Sequence, residues 1–192
     1  MTYSELDHIL DSIWDSVELG ATLSKHPFRR AVLGTFDGVS PQMRTVILRY
    51  SNRERRCIQI YSDVRSNKIQ EISEHPKISL LFYDQQESIQ IRLNGTATVE
   101  SGGSHLKTIW AALPIENKIN YATPARPGSV ADDPVSAFPV VDNQIPDFAF
   151  KNFSVITLVV DQIDWLRLGV AGHYRAKFNF RNNGFTGGWV VP

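Results

Sequence analysis

The sequence of 192 residues holds a single cysteine, Cys57, so no disulfide can close within the chain and a thiolate metal cluster has no second ligand. Net charge is missing too. The 20 Lys and Arg are offset by 20 Asp and Glu, which removes the broad positive field that non-specific nucleic-acid or anionic-membrane binding relies on. The longest apolar run, residues 153–160, is interrupted by Ser154 and Thr157 and falls far short of the ~20 residues that span a bilayer. Met-Thr-Tyr-Ser-Glu at the start carries no basic segment followed by an apolar one, so the expectation is a cytoplasmic protein with no membrane partner. The five histidines show no paired metal-ligand spacing, and G-x-S-x-G, G-x-G-x-x-G and the phosphate-binding P-loop are all absent. Metal hydrolase, serine hydrolase, dinucleotide dehydrogenase and nucleoside triphosphatase readings therefore lose their usual supports, and no metal is expected.

What is present is an ordinary globular composition, 42% hydrophobic and 10% aromatic. A chain of this length buries roughly 70% of its unfolded surface, which is consistent with one domain over residues 1–192. Leu6, Ile9, Leu10, Ile13, Trp14 and Val17 recur on one helical face after Ser4, a candidate N-cap, and predict an amphipathic N-terminal helix. Segments 29–36, 43–50, 56–62, 77–83 and 88–99 are β-branched and aromatic and are broken by turn residues, with turns expected at Asp37-Gly38 and Ser51-Asn52. Closely spaced strands with few crossover helices predict a mainly β, α+β fold, an antiparallel sheet curled into a barrel with a few peripheral helices. Short helices are expected at 67–75 and 104–113, and strands at 153–168 and 173–181. Six of the ten prolines fall within 114–146, so that stretch is expected to be irregular. Its Ile115, Ile119, Tyr121, Phe138, Val140 and Val141 are too apolar for a free linker and imply that it packs on something.

Cations and hydrogen-bonding residues gather at strand ends and at one helix start. On the strand from Arg44, alternation sends Arg44, Val46 and Leu48 to one face and Thr45, Ile47 and Arg49 to the other. Arg44 can clamp a phosphate bidentately. Tyr61-Ser62 leads through Arg65-Ser66-Asn67-Lys68 into the helix at 67–75, whose free amide groups beside Lys68 suit a phosphate. Gln90 and Arg92 alternate with Ile89, Ile91 and Leu93.

The blocks 44–49, Ile60-Tyr61-Ser62, Ser66-Asn67-Lys68, 75–82 and 90–95, together with Asp161 to Trp165, His173 to Phe178 and the terminal Trp189-Val-Val-Pro192, resemble the FMN-binding pyridoxamine 5'-phosphate oxidases. Within that resemblance the sequence looks closer to the short bacterial oxidase-related subgroup. The resemblance implies an FMN-binding split β-barrel, a homodimer with flavin at the subunit interface, and a small-molecule substrate. It carries the cofactor over to Arg44, Thr45, Val46, Ile47, Leu48, Arg49, Tyr61, Ser62, Asn67, Lys68, Gln90, Trp165, Arg175 and Lys177. Substrate contacts fall on Arg49, Ile109, Leu113, His173 and Arg175, and no residue receives a catalytic role. Asn67 stands where the oxidases carry an arginine, and Arg49 where they carry a lysine. Ile109, Leu113 and Asn117 stand where they place a tyrosine, an arginine and a serine on the substrate phosphate. A less polar substrate than pyridoxamine phosphate is therefore expected. The leading expectation is an FMN-dependent oxidoreductase. The alternatives are a flavin carrier or sensor without turnover, and a small RNA-binding barrel resting on Arg53, Arg55 and Arg56, which the zero net charge disfavours.

Overall fold

The structure is a computed structural model that describes residues 5–133, 135, 145–181 and 184–192. Ser4, Phe138, Val140 and Val141 lie outside the described residues. The first helix, α1 (Glu5–Thr22), buries Leu10, Ile13, Trp14 and Val17 against the barrel, the face expected from their spacing. A 3-10 turn, Pro27–Arg29, starts behind His26, whose Nδ1 accepts from the Phe28 amide at 3.1 Å, and drops Phe28 into the core.

The strands β1 (Arg30–Phe36), β2 (Pro41–Asn52) and β3 (Cys57–Asp63) follow as an antiparallel meander. After α2 (Asn67–Glu74) come β4 (Lys77–Asp84) and β5 (Ile89–Ser101). The helices α3 (Gly103–Ala112), α4 (Ile115–Lys118) and α5 (Phe148–Asn152) precede β6 (Phe153–Arg167), β7 (Tyr174–Arg181) and β8 (Gly184–Val190). Strand order is β3-β2-β1-β4-β5-β6-β7-β8, and β6 also pairs with β3, so the first six strands of that order close into a barrel. The remaining two extend from β6 as an outer hairpin. Closure removes the open edges that a six-stranded sheet would otherwise present.

Inward-facing Leu33, Leu48, Leu80, Phe82, Leu93 and Ile163, each at most 1% exposed, fill the barrel. Every such side chain contributes about 1.5–3 kcal/mol by leaving water. A second apolar cluster, Leu106, Tyr121, Ala122, Ala149, Phe153 and Val155, lies outside the barrel and joins α3 and α5 to the start of β6.

Three sequence expectations are corrected. The turn expected at Ser51-Asn52 lies at residues 53–56, because the Asn52 side chain accepts the Arg55 amide at 2.7 Å and carries β2 through to itself. Residues 115–121 form α4 and a 3-10 turn, Ile119–Tyr121, where irregular chain was expected; Pro114 is compatible with a helix start because it needs no amide partner there. The strand β8 went unread because Gly184, Gly187 and Gly188 have poor strand propensity. Gly187 lets β8 lie on the core, since a Cβ there would sit 2.9 Å from Phe178 Cδ1.

Candidate functional site

A cleft of about 320 Å³ opens where β2, β3 and the α2 N-terminus meet the segment after α4. Its walls hold Arg44, Thr45, Val46, Ile47, Arg49, Tyr61, Ser62, Asp63, Ser66, Lys68, Asn120, Tyr121 and Pro127. Eight of the residues expected at a cofactor thus come together: Arg44, Thr45, Val46, Ile47, Arg49, Tyr61, Ser62 and Lys68.

Register decides which face each takes. Arg44 pairs with Leu33 and Val46 with Ala31, so both side chains follow the inward set, Arg44 at the barrel's end. A bulge between Leu48 and Tyr50 leaves Arg49 as an extra residue, and its guanidinium carbon stands 5.5 Å from the Tyr61 ring centroid. Leu48 sits wholly in the barrel core and its side chain lines no part of the cleft. Burial raises the Tyr61 hydroxyl pKa, and the charges of Arg49 and Arg29 pull it partly back.

The cationic end is a network. Arg44 Nη2 donates to Glu71 Oε2 at 2.9 Å, and its Nη1 to Thr35 Oγ1, which in turn donates to Glu71. Glu71 and Thr35 therefore fix the guanidinium. Lys68 differs: its Nζ meets only hydroxyls, Ser66 Oγ at 3.1 Å and Ser62 Oγ at 3.3 Å, and among the described residues no carboxylate lies within 4.0 Å of it. Burial, followed by the neighbouring Arg44 charge, pushes the Lys68 pKa below the ordinary lysine range, against smaller upward pulls from Glu71 and Asp63. A half-buried ammonium with only neutral partners matches an anion that brings its own charge. The Ser66 hydroxyl does not cap α2; it donates to Asp63 O at 2.8 Å and faces Lys68. The first amides of α2 thus gain no partner from that side chain. Asp63 is neutralised by Arg65, at 2.7 and 3.0 Å, so it does not compete for Lys68. These residues together fit a monophosphate at the Arg44 and Lys68 end.

The other sequence-expected positions lie elsewhere on this chain. Asn67 opens α2 outside the cleft, and its Oδ1 accepts from Arg126. Gln90 on β5 is half-buried opposite Tyr83 and Leu166. Arg175 on β7 grips Asp164 at 2.7 and 2.9 Å, and Arg92 reaches the same carboxylate at 2.6 Å. Burial alone would raise the Asp164 pKa, but these hydrogen bonds outweigh it and hold the carboxyl below its usual range. Lys177 pairs with Asp164 across β6 and β7; Trp165 is 7% exposed with its ring 6.4 Å from Trp189. His173 Nδ1 accepts the Gly169 amide at 3.2 Å on an exposed turn. Ile109 and Leu113 pack on the second apolar cluster and do not line the cleft.

Sequence reasoning missed Glu71, Asp63, Asn120, Tyr121 and Pro127, and named Ser66 only as part of the helix start. The Asp63-x-Arg65-Ser66 spacing, a local loop closed by a carboxylate, was the signal for the first part of the wall. Tyr121 reaches the cleft because the second apolar cluster anchors it, its ring 5.2 Å from Phe153. Burial raises its hydroxyl pKa strongly.

Comparison with known proteins follows the same geography. Residues 12–101 match the model of the pyridoxamine 5'-phosphate oxidase FMN-binding domain. Over 62 residues the chain is 42% identical to a pyridoxine/pyridoxamine 5'-phosphate oxidase of Prochlorococcus marinus (strain MIT 9303), a stretch that is 31% of this chain and only 27% of that protein. A pyridoxamine 5'-phosphate oxidase-related, FMN binding protein from Nostoc punctiforme PCC 73102 superposes with a TM-score of 0.77 at 21% identity, covering 100% of both chains. PhzG from Burkholderia lata 383, crystallised with tetrahydrophenazine-1-carboxylic acid, superposes with a TM-score of 0.73 at 16% identity, over 96% of this chain and 91% of that one. At such identities the two structures speak to the fold. Residues 12–101, which carry both Arg44 and Lys68, are thus similar to the pyridoxamine 5'-phosphate oxidase FMN-binding domain, and the whole chain shares its fold with a related FMN binding protein.

Proposed function

We propose that the chain binds FMN in the Arg44 and Lys68 cleft and acts, as a homodimer, as an FMN-dependent oxidoreductase on a small substrate. The observation that supports this best is Lys68, a half-buried cation beside Arg44 whose close partners among the described residues are hydroxyls. A terminal monophosphate supplies the missing charge, whereas a dinucleotide has no fingerprint here. FMN, when bound, supplies hydride acceptance and donation, so the protein needs no triad or metal of its own. Arg44, Ser62, Ser66 and Lys68 hold the phosphate, the 45–49 stretch borders the flavin, and Tyr61 and Tyr121 keep water from one side. Gln90, Trp165, Arg175 and Lys177 lie outside the cleft of their own chain, and a second protomer is what brings them to it. Exposed Met43 and Val39, 75% and 88% accessible, favour an apolar partner surface. A cytoplasmic setting fits the single buried thiol.

The substrate is less polar than pyridoxamine phosphate. Ile109 and Leu113 offer no donor where a phosphate needs two or three, and only Arg49, Arg175 and His173 remain to grip one. The test is steady-state oxidation by the FMN-saturated protein under oxygen, with pyridoxine and pyridoxamine phosphates beside apolar reductants. The expected kcat/KM for the phosphates is well below ~10⁴ M⁻¹s⁻¹, the lower end of ordinary enzymes. A value at or above it overturns the substrate assignment. Flavin that is bound but never reduced by any donor overturns the oxidoreductase reading and leaves a carrier.

A further inference from the structure

Asn67, the first residue of α2, stands next to the cleft's Lys68 and carries no charge of its own. The structure brings a guanidinium to that spot. Arg126, on the segment after α4, donates through Nη2 to Asn67 Oδ1, immediately before Lys68 on α2. Its chain neighbour Pro127 is part of the cleft wall with Arg44 and Lys68. The segment is pinned there independently: Arg65, locked on Asp63, donates to Thr123 O at 3.1 Å and to Pro124 O at 3.2 Å. Among the described residues, Arg126 has no carboxylate within 4.0 Å, so its charge is not neutralised by an ion pair.

Resting on the FMN reading above, we infer that Arg126, held on Asn67 beside Lys68, supplies a third cation to the phosphate site, at the position where the resemblance implies an arginine. Asn67 is then a positioning residue: too short to reach a phosphate as arginine does, it holds Arg126 over the start of α2. The arrangement ties the proline-rich segment to cofactor occupancy, because the phosphate clamps Arg126 from one side while Arg65 clamps the backbone from the other.

The test measures FMN and riboflavin affinity by quenching of flavin fluorescence, in the full-length wild type and in Arg126→Ala, Lys68→Met and Arg126→Ala/Asn67→Arg. Arg126→Ala is expected to weaken FMN roughly tenfold, the range of one charge-assisted contact at a partly exposed site, and to leave riboflavin unchanged. Asn67→Arg in that background is expected to restore most of the loss, an outcome that a merely structural Arg126 does not produce. Unchanged FMN affinity in Arg126→Ala, with a large loss in Lys68→Met, overturns the role of Arg126 and leaves the cleft assignment standing. Equal weakening of FMN and riboflavin, or no rescue by Asn67→Arg, also overturns it. Unchanged affinity in both Arg126→Ala and Lys68→Met removes the cleft reading and this inference with it.

Discussion

Lys68 and Arg44 line the same cleft but differ as probes of it. Among the described residues Lys68 has only hydroxyl partners, so Lys68→Met strands no carboxylate of theirs. Its expected effect is FMN affinity weaker by roughly 30-fold or more, riboflavin affinity unchanged and melting temperature nearly unchanged. Arg44 is also a structural group. Removing it leaves Glu71, whose side chain is 8% exposed, without its ion pair. Arg44→Ala should therefore cost about 2–3 kcal/mol of stability, less than a fully buried pair because 24% of the Arg44 side chain is exposed. Adding Glu71→Gln should return much of that in urea denaturation; a double variant as unstable as Arg44→Ala contradicts the pairing. The pH dependence follows from the lowered Lys68 pKa. In the free protein Lys68 gives up its proton below the pH at which ordinary lysines do, and a bound phosphate favours the protonated form, so binding takes up a proton. FMN affinity is thus full at lower pH and falls as pH rises through the free-protein pKa, and Lys68→Met abolishes that fall. An equally steep alkaline fall in Lys68→Met assigns the titration to another group.

At the scale of elements, β4 to β7 are tied by polar side chains. Ser79, Asn94, Gln162 and Asn179 hand hydrogen bonds across β4 to β7 at 2.6, 2.8 and 2.9 Å, and Asp164 joins Arg92 to Arg175. Because the Asp164 pKa is held low, its contribution is complete above the unfolded carboxyl pKa and disappears as pH falls through the lower folded value. Asp164→Asn should lower stability at pH 7 and flatten its acid dependence; a stability curve parallel to wild type contradicts this. Gly95 faces the bulge that Asp161 makes in β6, and a Cβ there would stand 2.0 Å from Val159 O, a backbone atom with no room to yield. Gly95→Ala is expected to destabilise by about 2 kcal/mol or more, read as a lower urea midpoint. Strands with alternating or β-branched runs, such as β4 and β6, were legible in the sequence because period and propensity agree there. The glycine-containing β8 was not, since its place depends on Phe178, contributed by β7. The same division holds for the site. Arg44, Tyr61, Ser62 and Lys68 are encoded locally, on strand ends and a helix start. Tyr121 and Pro127 reach it only through packing of a proline-rich segment whose period carries no signal, and the pairing of Glu71 with Arg44 depends on the packing of α2 against β1 and β5.

For the whole molecule, the barrel supplies the frame and the second apolar cluster holds Tyr121 in the cleft's outer wall. If FMN binds as proposed, its phosphate against Lys68 would stabilise the folded state by mass action, and its release on dilution would report the proposed dimer. Sedimentation equilibrium should give two chains per particle, with FMN content falling as dimers dissociate; a monomer that keeps stoichiometric FMN contradicts the shared site. No helix among the described residues is long and apolar enough to cross a membrane, and none of them forms a cluster of three or more His, Cys, Asp or Glu suited to a metal ion. The central claim is that the cleft is an FMN site, and the most direct test is the visible spectrum of the purified protein reconstituted with a mixture of FMN, FAD and riboflavin, followed by denaturation and mass analysis of the retained chromophore. The account predicts a flavin spectrum and FMN alone at about one per chain in wild type, lost in Lys68→Met. A colourless wild type, or retention of riboflavin as readily as FMN, would contradict it.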